Sequence, residues 1–547
     1  MRVRLSILAL LLDFDGRAVA VTTRSKSNRL VEPHALSALG DSPTSGKQKS
    51  VTWHQDMDNI EGPYFLQRLP GLHMTQTGKV PQNGPAAEDL GATKNASACL
   101  DACMSKFPDT CYSITFYNGY GTTPAGCFAV TTSYYDWFPA HDPLHGKQVT
   151  SARVWHGCLS DNDCASNGIC QDGGSCECDS GWTGSACSQL DLQPTLSNDD
   201  AGYKLTSEEG RNISSWGGAV HKDEYGVYHM WVSHMRKHCG ILAWTTNSAI
   251  LHATSSNCLG PYVPAVNDSI RKSIVFPTFS HEPDVKRGPN GEWIMFMTSY
   301  EPKKGEEACV CTNGTTPSTC PSTAADYTPQ TTMSWSMSPW GPWSKPVIVI
   351  SNVGVDLNFS PIIRPDGSLM ALARKFEKDD LGMGWDISKV ITATARNWKD
   401  PSTYILHPKR DLFEGSALRG ATEDPWLYEA PDGQLHALFH NMYGCFACCG
   451  HAFAEKVSES NDTETAFPAL KWTYTGADAC LPFVEEQDGS TLLLGRRERP
   501  HMLFDSQKRP LMLTNGVTVC PQGSAYCPTP YDSDRSWTLT QPIRVKD

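Results

Sequence analysis

One pattern of apolar and polar positions recurs five times in the second half of the chain. Each copy has a short strand-like run, a polar turn and a second apolar run, as in HEPDVKRGPNGEWIMFMTSY at residues 281–300. This order of elements predicts a β-hairpin. We call the first residue of the recurring run the anchor residue, and the five anchors are Gly218, Pro283, Pro361, Pro425 and Pro500.

A second signal alternates with the anchors, namely an aromatic residue in the strand that closes each unit: Tyr262, Trp343, Trp398, Trp472 and Trp537. The anchors recur about every 65 to 80 residues, which is enough chain for four strands. The two alternating signals predict a five-bladed β-propeller over residues 190–547. The alternative is a β-sandwich with chance similarities, and we favour the propeller because both signals occur in all five units.

Residues 56–157 have a different pattern, with a helix-like run followed by two aromatic-rich strands. Cys99 and Cys103 are one helical turn apart, and Cys111 and Cys127 each open a strand-like run. This arrangement resembles the PAN/apple family, a small α+β module that usually binds protein or carbohydrate. A purely structural cysteine-linked domain is the alternative interpretation.

Residues 158–187 hold six cysteines in thirty residues, too short a segment to fold on apolar burial alone. A zinc site is disfavoured because no histidine lies among them. The segment resembles the EGF-like family, with Cys176-x-Cys178 and then Gly184-x-x-Cys187. The resemblance implies the disulfides Cys158–Cys170, Cys164–Cys176 and Cys178–Cys187. The preceding SARVWHG lacks the acidic and amide residues that calcium-binding members have there, so we expect no calcium at this place.

The N-terminus and the composition indicate an exported protein. Residues 1–20 have two arginines, an apolar run and a small-residue end, as in a signal peptide, and residues 21–55 are expected to be a flexible lead-in. The chain has 21 cysteines, which favours an extracellular location. No later stretch reaches the ~18 apolar residues of a membrane span. Six glycosylation sequons begin at Asn95, Asn212, Asn267, Asn313, Asn358 and Asn461.

The net charge of the chain excludes one class of binding partner. The net charge is −13 and no long Lys/Arg cluster occurs, so a nucleic-acid-binding surface is not expected. The fold class predicted for the whole chain is therefore mostly β: a five-bladed propeller preceded by a small α+β PAN/apple-like module and a disulfide-rich EGF-like module. We expect a glycan or polysaccharide as partner, with extracellular proteins contacting the two N-terminal modules.

The starts of the innermost propeller strands converge on one axis, so residues beside the anchors of different blades should face one another. The residues immediately before the anchors are Gly217, Glu282, Ser360, Asp424 and Arg499. The residues two before are Trp216, His281, Phe359, Glu423 and Glu498. Four acidic residues thus gather at a predicted central pocket.

Acidic residues at these positions of a five-bladed propeller resemble the glycoside hydrolase superfamily that contains arabinofuranosidases, xylosidases and, more distantly, fructan-cleaving enzymes, of the family 43/32 type. The resemblance implies that Glu282 is the general base, Asp424 the carboxylate that tunes proton affinity and Glu498 the general acid. Two differences are that the base is Glu rather than Asp and that Arg499 replaces the glycine after the acid. The implied activity is hydrolysis of an extracellular or cell-wall polysaccharide. We favour inversion, because strands of non-adjacent blades more readily give the separation of ~6.5–9.5 Å between carboxyl groups that admits a water molecule.

The chemistry is independent of the resemblance, because cleaving a glycosidic bond requires an acid at the leaving oxygen and a carboxylate opposite it. A neighbouring carboxylate would raise the pKa of Glu498, whereas adjacent arginines could instead hold Glu498 in an ion pair. Glu423 is the substitute acid. Expected substrate-binding residues are Trp216, His281, Glu423, His440, Arg499 and His501. Sugar rings stack on flat aromatic faces, and the two glycines after Trp216 are expected to leave its face accessible.

Two further alternatives concern the function and the metal content. The propeller could instead belong to a non-catalytic carbohydrate-binding or adhesion protein, because one fold hosts many activities. We expect no cofactor, although a calcium or other ion could occupy the funnel as a structural element.

The propeller cysteines are odd in number, so one thiol is expected to stay free or to bridge to another chain. The predicted disulfides are Cys239–Cys258 and Cys520–Cys527, with Cys309 or Cys311 joined to Cys320. The run CFACCGH at residues 445–451, with Cys480, could bind zinc, but disulfides are favoured in an exported chain.

Overall fold

The structure, a computed structural model, describes residues 157–546 apart from the gaps at 198–199, 207–211, 278, 301–308, 313–314, 318–319, 321–328, 352–357, 378–386, 408–411, 413–421, 442–448, 457–469, 482 and 520–533. Before residue 157 it describes only the strands and the helix named below. The chain divides by contacts into two units, Met1–Gly46 and Lys47–Asp547.

In the first unit, strands β1 (Leu10–Leu12) and β2 (Ala18–Ala20) pair antiparallel. The remainder of the predicted signal peptide, residues 1–20, and most of the lead-in, residues 21–55, lie outside the described residues. No helix in the described part of the chain is both long and apolar enough to cross a membrane.

The second unit begins with a five-stranded antiparallel sheet in the order β3-β7-β5-β6-β4, with helix α1 packed against it. The elements are β3 (Ser50–His54), β4 (Ala87–Gly91), α1 (Ala96–Lys106), β5 (Ser113–Tyr117), β6 (Gly126–Val130) and β7 (Val149–Trp155). Cys99 and Cys103 are buried on α1 and both are disulfide-bonded. Because β3 pairs with β7, the sheet begins before the boundary at residue 56 that we predicted. The PAN/apple resemblance stays a prediction, and Cys111 lies outside the described residues.

The EGF-like segment folds around three disulfides, Cys158–Cys170, Cys164–Cys176 and Cys178–Cys187, which is the pairing that the resemblance implied. Its elements are a 3-10 helix (Asp161–Cys164), β8 (Gly168–Cys170), β9 (Cys176–Cys178), β10 (Trp182–Thr183) and β11 (Gln189–Leu190). Strand β8 pairs with β9, and β10 pairs with β11.

The EGF-like segment packs directly on the propeller that follows it. The Trp182 ring lies 4.7 Å from the ring of His451, and Lys546 Nζ donates to the carbonyl of Cys178 at 2.7 Å. Gly181, at φ +90°, lies so close to Pro510 that a Cβ would be 2.4 Å from its Cγ. These contacts hold the EGF-like segment against the propeller.

The remainder forms the predicted five-bladed propeller, and the mostly β fold class is confirmed. After a short pair of strands, β12 (Leu205–Thr206) and β13 (Asn212–Ile213), blade one comprises β14 (Ser215–Lys222), β15 (Tyr228–Met235), β16 (Ser248–Ser255), β17 (Val263–Pro264) and β18 (Ile274–Phe276). Its connections contain a 3-10 helix (Ile241–Ala243), α2 (Trp244–Asn247) and α3 (Ile270–Ser273).

Blades two to five are four-stranded antiparallel sheets. Blade two comprises β19 (Ser280–Arg287), β20 (Trp293–Tyr300), β21 (Pro329–Ser336) and β22 (Val347–Ser351). Blade three comprises β23 (Ser360–Ile363), β24 (Leu369–Glu377), β25 (Ile387–Ala395) and β26 (Tyr404–His407), and a 3-10 helix (Pro401–Thr403) precedes β26. Blade four comprises β27 (Thr422–Glu429), β28 (Leu435–Asn441), β29 (Cys449–Lys456) and β30 (Leu470–Cys480), and blade five comprises β31 (Phe483–Glu485), β32 (Thr491–Phe504), β33 (Pro510–Val519) and β34 (Trp537–Pro542).

The ring closes where its two ends meet. The innermost strands β14, β19, β23, β27 and β32 contact one another in sequence, and β32 returns to contact β14. Beyond β34, residues from the start of the domain complete the last blade through the bridges Leu192–Ile543 and Tyr203–Thr538. Pairing the two ends of the propeller domain in one blade removes an open strand edge and holds the ring closed.

Apolar residues of adjacent blades form the core between them. Ile294, Phe296, Leu369 and Ile391 fill the space between blades two and three, for example. The closing aromatic residues contribute as expected, since Tyr262, Trp398 and Trp537 are buried. Burial of such side chains contributes about 1.5–3 kcal/mol each, which makes blade packing the main source of stability.

The propeller disulfides differ from the prediction in one pairing. Cys239 bonds to Cys311 rather than to Cys258, which has a free thiol. The tertiary fold brings the connections of blades one and two together, which sequence proximity could not indicate. Cys309 bonds to Cys320 and Cys449 to Cys480, so Cys449 is not available for the zinc site considered above. Cys445, Cys448, Cys520 and Cys527 lie outside the described residues.

Candidate functional site

The residue before the anchor has the same unusual backbone in four blades. Gly217, Glu282, Asp424 and Arg499 have φ of 57°, 59°, 54° and 55°. In each blade the pairing of the first two strands is interrupted there by a β-bulge. A bulge re-aims a side chain, and a positive φ in a non-glycine residue is a strained conformation that persists only where the surrounding structure holds it. The recurring acidic residue beside proline is therefore a side chain turned towards the axis.

Blade three departs from this rule. The residue before its anchor, Ser360, instead donates from Oγ to Asp284 Oδ2 at 2.8 Å and accepts from the Leu427 backbone N–H at 3.0 Å. The positive φ of this blade is at Asn358, two residues earlier. Blade three therefore contributes an amide to the axis rather than the side chain beside its anchor.

Glu282, Asn358, Asp424 and Arg499 form what we call the axial cluster. Asn358 Nδ2 donates to Glu282 Oε2 at 2.7 Å and to Asp424 Oδ1 at 2.9 Å. The Arg499 Nη1 atom lies 2.8 Å and 3.3 Å from the same two oxygens. Two donors thus bridge two carboxyl groups from different blades. All four residues are buried, with Glu282 6%, Asp424 5% and Arg499 5% exposed.

Blade one makes room for this cluster with a glycine. A Cβ on Gly217 would lie 3.0 Å from Arg499 Cβ and 3.2 Å from its Cγ. The absence of a side chain in blade one therefore lets the arginine of blade five extend across the axis. Further support comes from Ser233, whose Oγ accepts the Glu282 backbone N–H at 2.8 Å.

A second group, the Glu423 cluster, contains Arg374, Glu423, His440 and Glu498. Glu423 accepts from Arg374 Nη1 at 2.5 Å and from His440 Nδ1 at 2.8 Å. Glu498 Oε1 lies 4.0 Å from His440 Nδ1. Burial favours the neutral form of Glu423, but Arg374 and His440 outweigh it and lower the pKa of Glu423 to about 2. Glu423 is therefore ionised at neutral pH and is a poor substitute for the acid.

The electrostatics of Glu498 differ from those of Glu423. Burial raises the pKa of Glu498 and the Glu423 charge adds to the rise, whereas Arg496 and His440 oppose it. Of the adjacent arginines, Arg496 forms an ion pair with Glu498, with its Nε 3.7 Å from Oε1, whereas Arg499 turns to the axial cluster. The Arg497 guanidinium bonds to Asn515, Leu481 and Gln541 instead.

Asp424 lies between the two clusters. Burial raises the pKa of Asp424 to about 7; Arg499 opposes this rise, and Glu423 and Glu498 add to it. Ligand atoms of Asp424, Glu423, Glu498 and His440 all lie within 4.8 Å of one another. The structure thus brings Asp424 close to both Glu282 and Glu498, the residues on which the sequence hypothesis placed the base and the acid.

That four-residue group could be read as a cation site, but His440 argues against it. Burial opposes protonation of His440, yet Glu498 and Glu423 raise its pKa to about 9. A protonated imidazole has no lone pair for a metal, and Arg374 supplies a further positive charge beside it. These residues do not fit a bound cation in this protonation state, and we assign no metal. The three cysteines Cys158, Cys164 and Cys170 are also close together, but their sulfurs are in disulfides.

Three of the expected substrate-binding residues have other roles. Trp216 is 3% exposed and its ring packs on Gly516, so its face is covered and the prediction of an accessible platform was wrong. His501 is buried and stacks on Trp426 at 5.7 Å. His281 Nδ1 forms a hydrogen bond with Ser248 Oγ at 2.7 Å, and His281 Nε2 lies 3.6 Å from Glu282 Oε1. His281 therefore lies beside Glu282, with Ser248 as its hydrogen-bond partner.

The far part of the axial channel is filled by side chains. Lys286 Nζ lies 3.2 Å from Asp284 Oδ1 and 5.2 Å from the Trp426 ring centroid. Since Lys286 belongs to blade two and Trp426 to blade four, these contacts span the axis. Trp426 and His501 therefore lie in a packed part of the channel.

Sequence analysis missed two residues of the site. Asn358 lies three residues before its anchor rather than one or two, so the anchor rule did not select it. Arg374 is in β24, a second strand, where no local pattern distinguishes it from an ordinary surface arginine. Only the juxtaposition of blades three and four shows that Arg374 faces Glu423.

Comparisons with known proteins cover the two parts of the chain separately. Residues 160–190 match the family model of the Teneurin-like EGF domain. No curated protein matches the sequence.

Solved structures similar to the chain include a thermostable family-43 glycoside hydrolase (12% identity, 65% of this chain and 93% of that one, TM-score 0.37) and an endo-arabinase from Bacteroides thetaiotaomicron (13%, 63% and 98%, 0.37). An α-L-arabinofuranosidase from Podospora anserina, in complex with cellotriose, is similar at 10% identity over 65% of this chain and 99% of that one, with a TM-score of 0.37. Similarity at this level carries no inference about activity, and the EGF-like segment is the part of the chain that a family model matches.

Proposed function

We propose that the protein is an extracellular glycoside hydrolase that inverts the anomeric centre, with Glu498 as general acid and Glu282 as general base. The observation that carries this proposal is the contrast within the site: burial raises the pKa of Glu498 although Arg496 and His440 oppose the rise, while Glu282 pairs directly with the Arg499 cation. Acid–base hydrolysis requires one carboxyl group that can donate a proton and one carboxylate that can accept a proton.

In the proposed reaction a water molecule attacks the anomeric carbon and the glycosidic C–O bond breaks. Glu498 gives its proton to the leaving oxygen, and Glu282 accepts a proton from the attacking water. Asp424, whose carboxyl group is linked to Glu282 through Asn358 and Arg499, fixes the position of the base. His440 and Arg374 hold Glu423 ionised beside Glu498, and this negative charge favours the protonated acid.

The disulfides and the EGF-like segment support an extracellular setting. We infer that a polysaccharide or other glycan is the partner of the propeller and that the N-terminal modules can contact extracellular proteins. The sugar and the linkage are to be found by testing chromogenic arabinosides, xylosides and galactosides, and fructans.

The deciding experiment is a comparison of three variants on whichever substrate the wild type cleaves. Glu498→Gln should abolish turnover while preserving the fold, because the amide keeps the shape and loses the proton. Glu429→Gln, at an exposed ion pair with Lys508, is the matched control and should retain activity. Full activity in Glu498→Gln would place the acid elsewhere, and Glu423→Gln then tests the other candidate.

A second function is favoured by one observation. Glu282 and Asp424 already have internal partners, Asn358 and Arg499, and are almost fully buried, as expected of a structural network. A non-catalytic carbohydrate-binding or adhesion protein would use the axial cluster only to hold the ring together. Glycan binding without cleavage of any of the four substrate classes would support this second function.

A further inference from the structure

We propose that Trp244 is the aromatic platform on which a sugar ring of the glycan stacks, an inference that rests on the proposed function. Trp244 opens α2, which connects β15 to β16. Because successive strands are antiparallel, this connection lies at the end of blade one where the innermost strand begins. That is the end at which Glu282, Asp424 and Glu498 are gathered.

Trp244 contacts His281, which in turn lies beside the proposed base, Glu282. Its ring centroid is 5.2 Å from that of His281, with the planes inclined by 34°. His281 in turn lies 3.6 Å from Glu282 Oε1. A sugar stacked on Trp244 would therefore lie at the same end of the ring as Glu282, with His281 between the indole ring and the carboxylate.

Trp244 retains exposed surface where the other axial tryptophans do not. Trp216 and Trp426 are 3% and 5% exposed, while Trp244 is only partly buried. Sugars present C–H groups on one face, and these pack favourably on the face of an indole ring. Trp244 packs against Phe279 and against the cluster of Trp216, Met235 and Ile241. Among these three tryptophans it is the one that retains exposed surface.

The segment that carries Trp244 is held from three directions. Cys239, just before it, is disulfide-bonded to Cys311 of blade two. Asn247 Nδ2 donates to the carbonyls of Arg236 at 3.0 Å and Cys309 at 2.8 Å. Asp534, near the C-terminus, accepts from the Leu242 backbone N–H at 2.7 Å. A platform fixed in this way loses little conformational entropy on binding, which favours affinity.

The experiment uses the full chain and measures binding separately from turnover. In the Glu498→Gln background, affinity for arabino-, xylo-, galacto- and fructo-oligosaccharides is measured by titration calorimetry for Trp244→Ala, Trp244→Leu and Trp244→Phe. Trp340→Ala is the control, because Trp340 is 53% exposed in the β21–β22 connection at the opposite end of its blade. Thermal unfolding verifies that each variant is folded, and Trp244→Leu keeps much of the buried volume if Trp244→Ala does not fold.

We expect Kd to rise about tenfold or more in Trp244→Ala and Trp244→Leu, and to change less than about threefold in Trp244→Phe and Trp340→Ala. In the active enzyme the same variants should raise KM by a similar factor with little change in kcat. An unchanged Kd in Trp244→Leu overturns the assignment, whatever the fate of the proposed hydrolase.

Two other outcomes separate the assignment from the proposed function. If the wild type binds an oligosaccharide without cleaving it and Trp244→Leu loses that binding, the platform stands and the hydrolase proposal fails. If the wild type neither binds nor cleaves any of the four sugars, both are overturned.

Discussion

The Arg499 Nη1 atom of blade five lies 2.8 Å from Glu282 Oε2 of blade two, so a single ion pair connects two blades that are not adjacent in the ring. The same guanidinium atom is 3.3 Å from Asp424 Oδ1 of blade four. One buried cation therefore balances two buried carboxyl groups. This sharing makes Arg499 a residue on which the whole axial cluster depends.

Arg499→Ala should destabilise the propeller by about 3–5 kcal/mol, because it leaves buried carboxyl groups without a cation. The alanine would keep the positive φ, so the loss reports on charge rather than on backbone strain. The free energy of unfolding from urea denaturation measures it. Lys508→Ala is the control, since its pair with Glu429 is exposed and should contribute less than about 1 kcal/mol. Equal losses in the two variants would contradict the role given to Arg499.

Gly217→Ala tests whether the glycine of blade one is required for the position of Arg499. A Cβ there would be 3.0 Å from Arg499 Cβ at φ +57°, so we expect a loss of about 2–4 kcal/mol from strain and displacement together. Gly433→Ala is matched, because Gly433 has φ +84° with nothing within 4 Å of the added Cβ. It should lose only about 1 kcal/mol. If Gly433→Ala loses as much as Gly217→Ala, then Arg499 is not constrained by that glycine.

The raised pKa of Asp424, about 7, predicts a specific pH dependence of stability. Between about pH 4 and pH 7 the folded state keeps a proton that an unfolded aspartate has already lost, so stability falls as pH rises through this window. Asp424→Asn removes this titration and should give a flatter curve of unfolding free energy between pH 4 and pH 7. Parallel curves for the two proteins would show that Asp424 is ionised in the folded state throughout that range.

The sequon at Asn358 should carry no glycan, although its sequence permits one. The Asn358 side chain is 2% exposed, and its Nδ2, the atom that a glycan would modify, donates to Glu282 and Asp424. Asn267 is the contrasting sequon, because it is exposed in a turn. Glycopeptide mapping of the protein secreted from eukaryotic cells should find glycan at Asn267 and none at Asn358. A glycan at Asn358 in folded protein would be incompatible with the axial cluster.

Much of the site could be predicted because its acidic residues lie directly beside the repeated anchor residues. Glu282, Asp424 and Glu498 were selected from their position one or two residues before an anchor, and the structure brings Asp424 close to each of the other two. Trp216 was selected from the same rule together with its neighbouring glycines. It failed as a platform because those glycines, and Gly516, allow the backbone and the ring to pack tightly rather than leaving the ring exposed.

The disulfides also fall into those that the sequence could predict and those that depend on the tertiary structure. In the EGF-like segment the pairing follows from a family spacing, because the bonds themselves determine so short a fold. In the propeller, Cys239 bonds to Cys311 and not to the nearer Cys258. The reason is that a long connection of blade two folds back onto blade one, a contact that depends on the ring rather than on the local sequence.

The sequence by itself determined the repeat, the strand order within each blade and the placement of acidic residues beside the anchors, since these depend on local periodicity and turn chemistry. The tertiary structure alone decided which charges meet. Arg499 reaches across to Glu282, Arg374 pairs with Glu423, and Asn358 links two blades, because closing the ring brings residues that are far apart in sequence within hydrogen-bonding distance. Their protonation then follows from burial and from those neighbours, neither of which the linear chain contains.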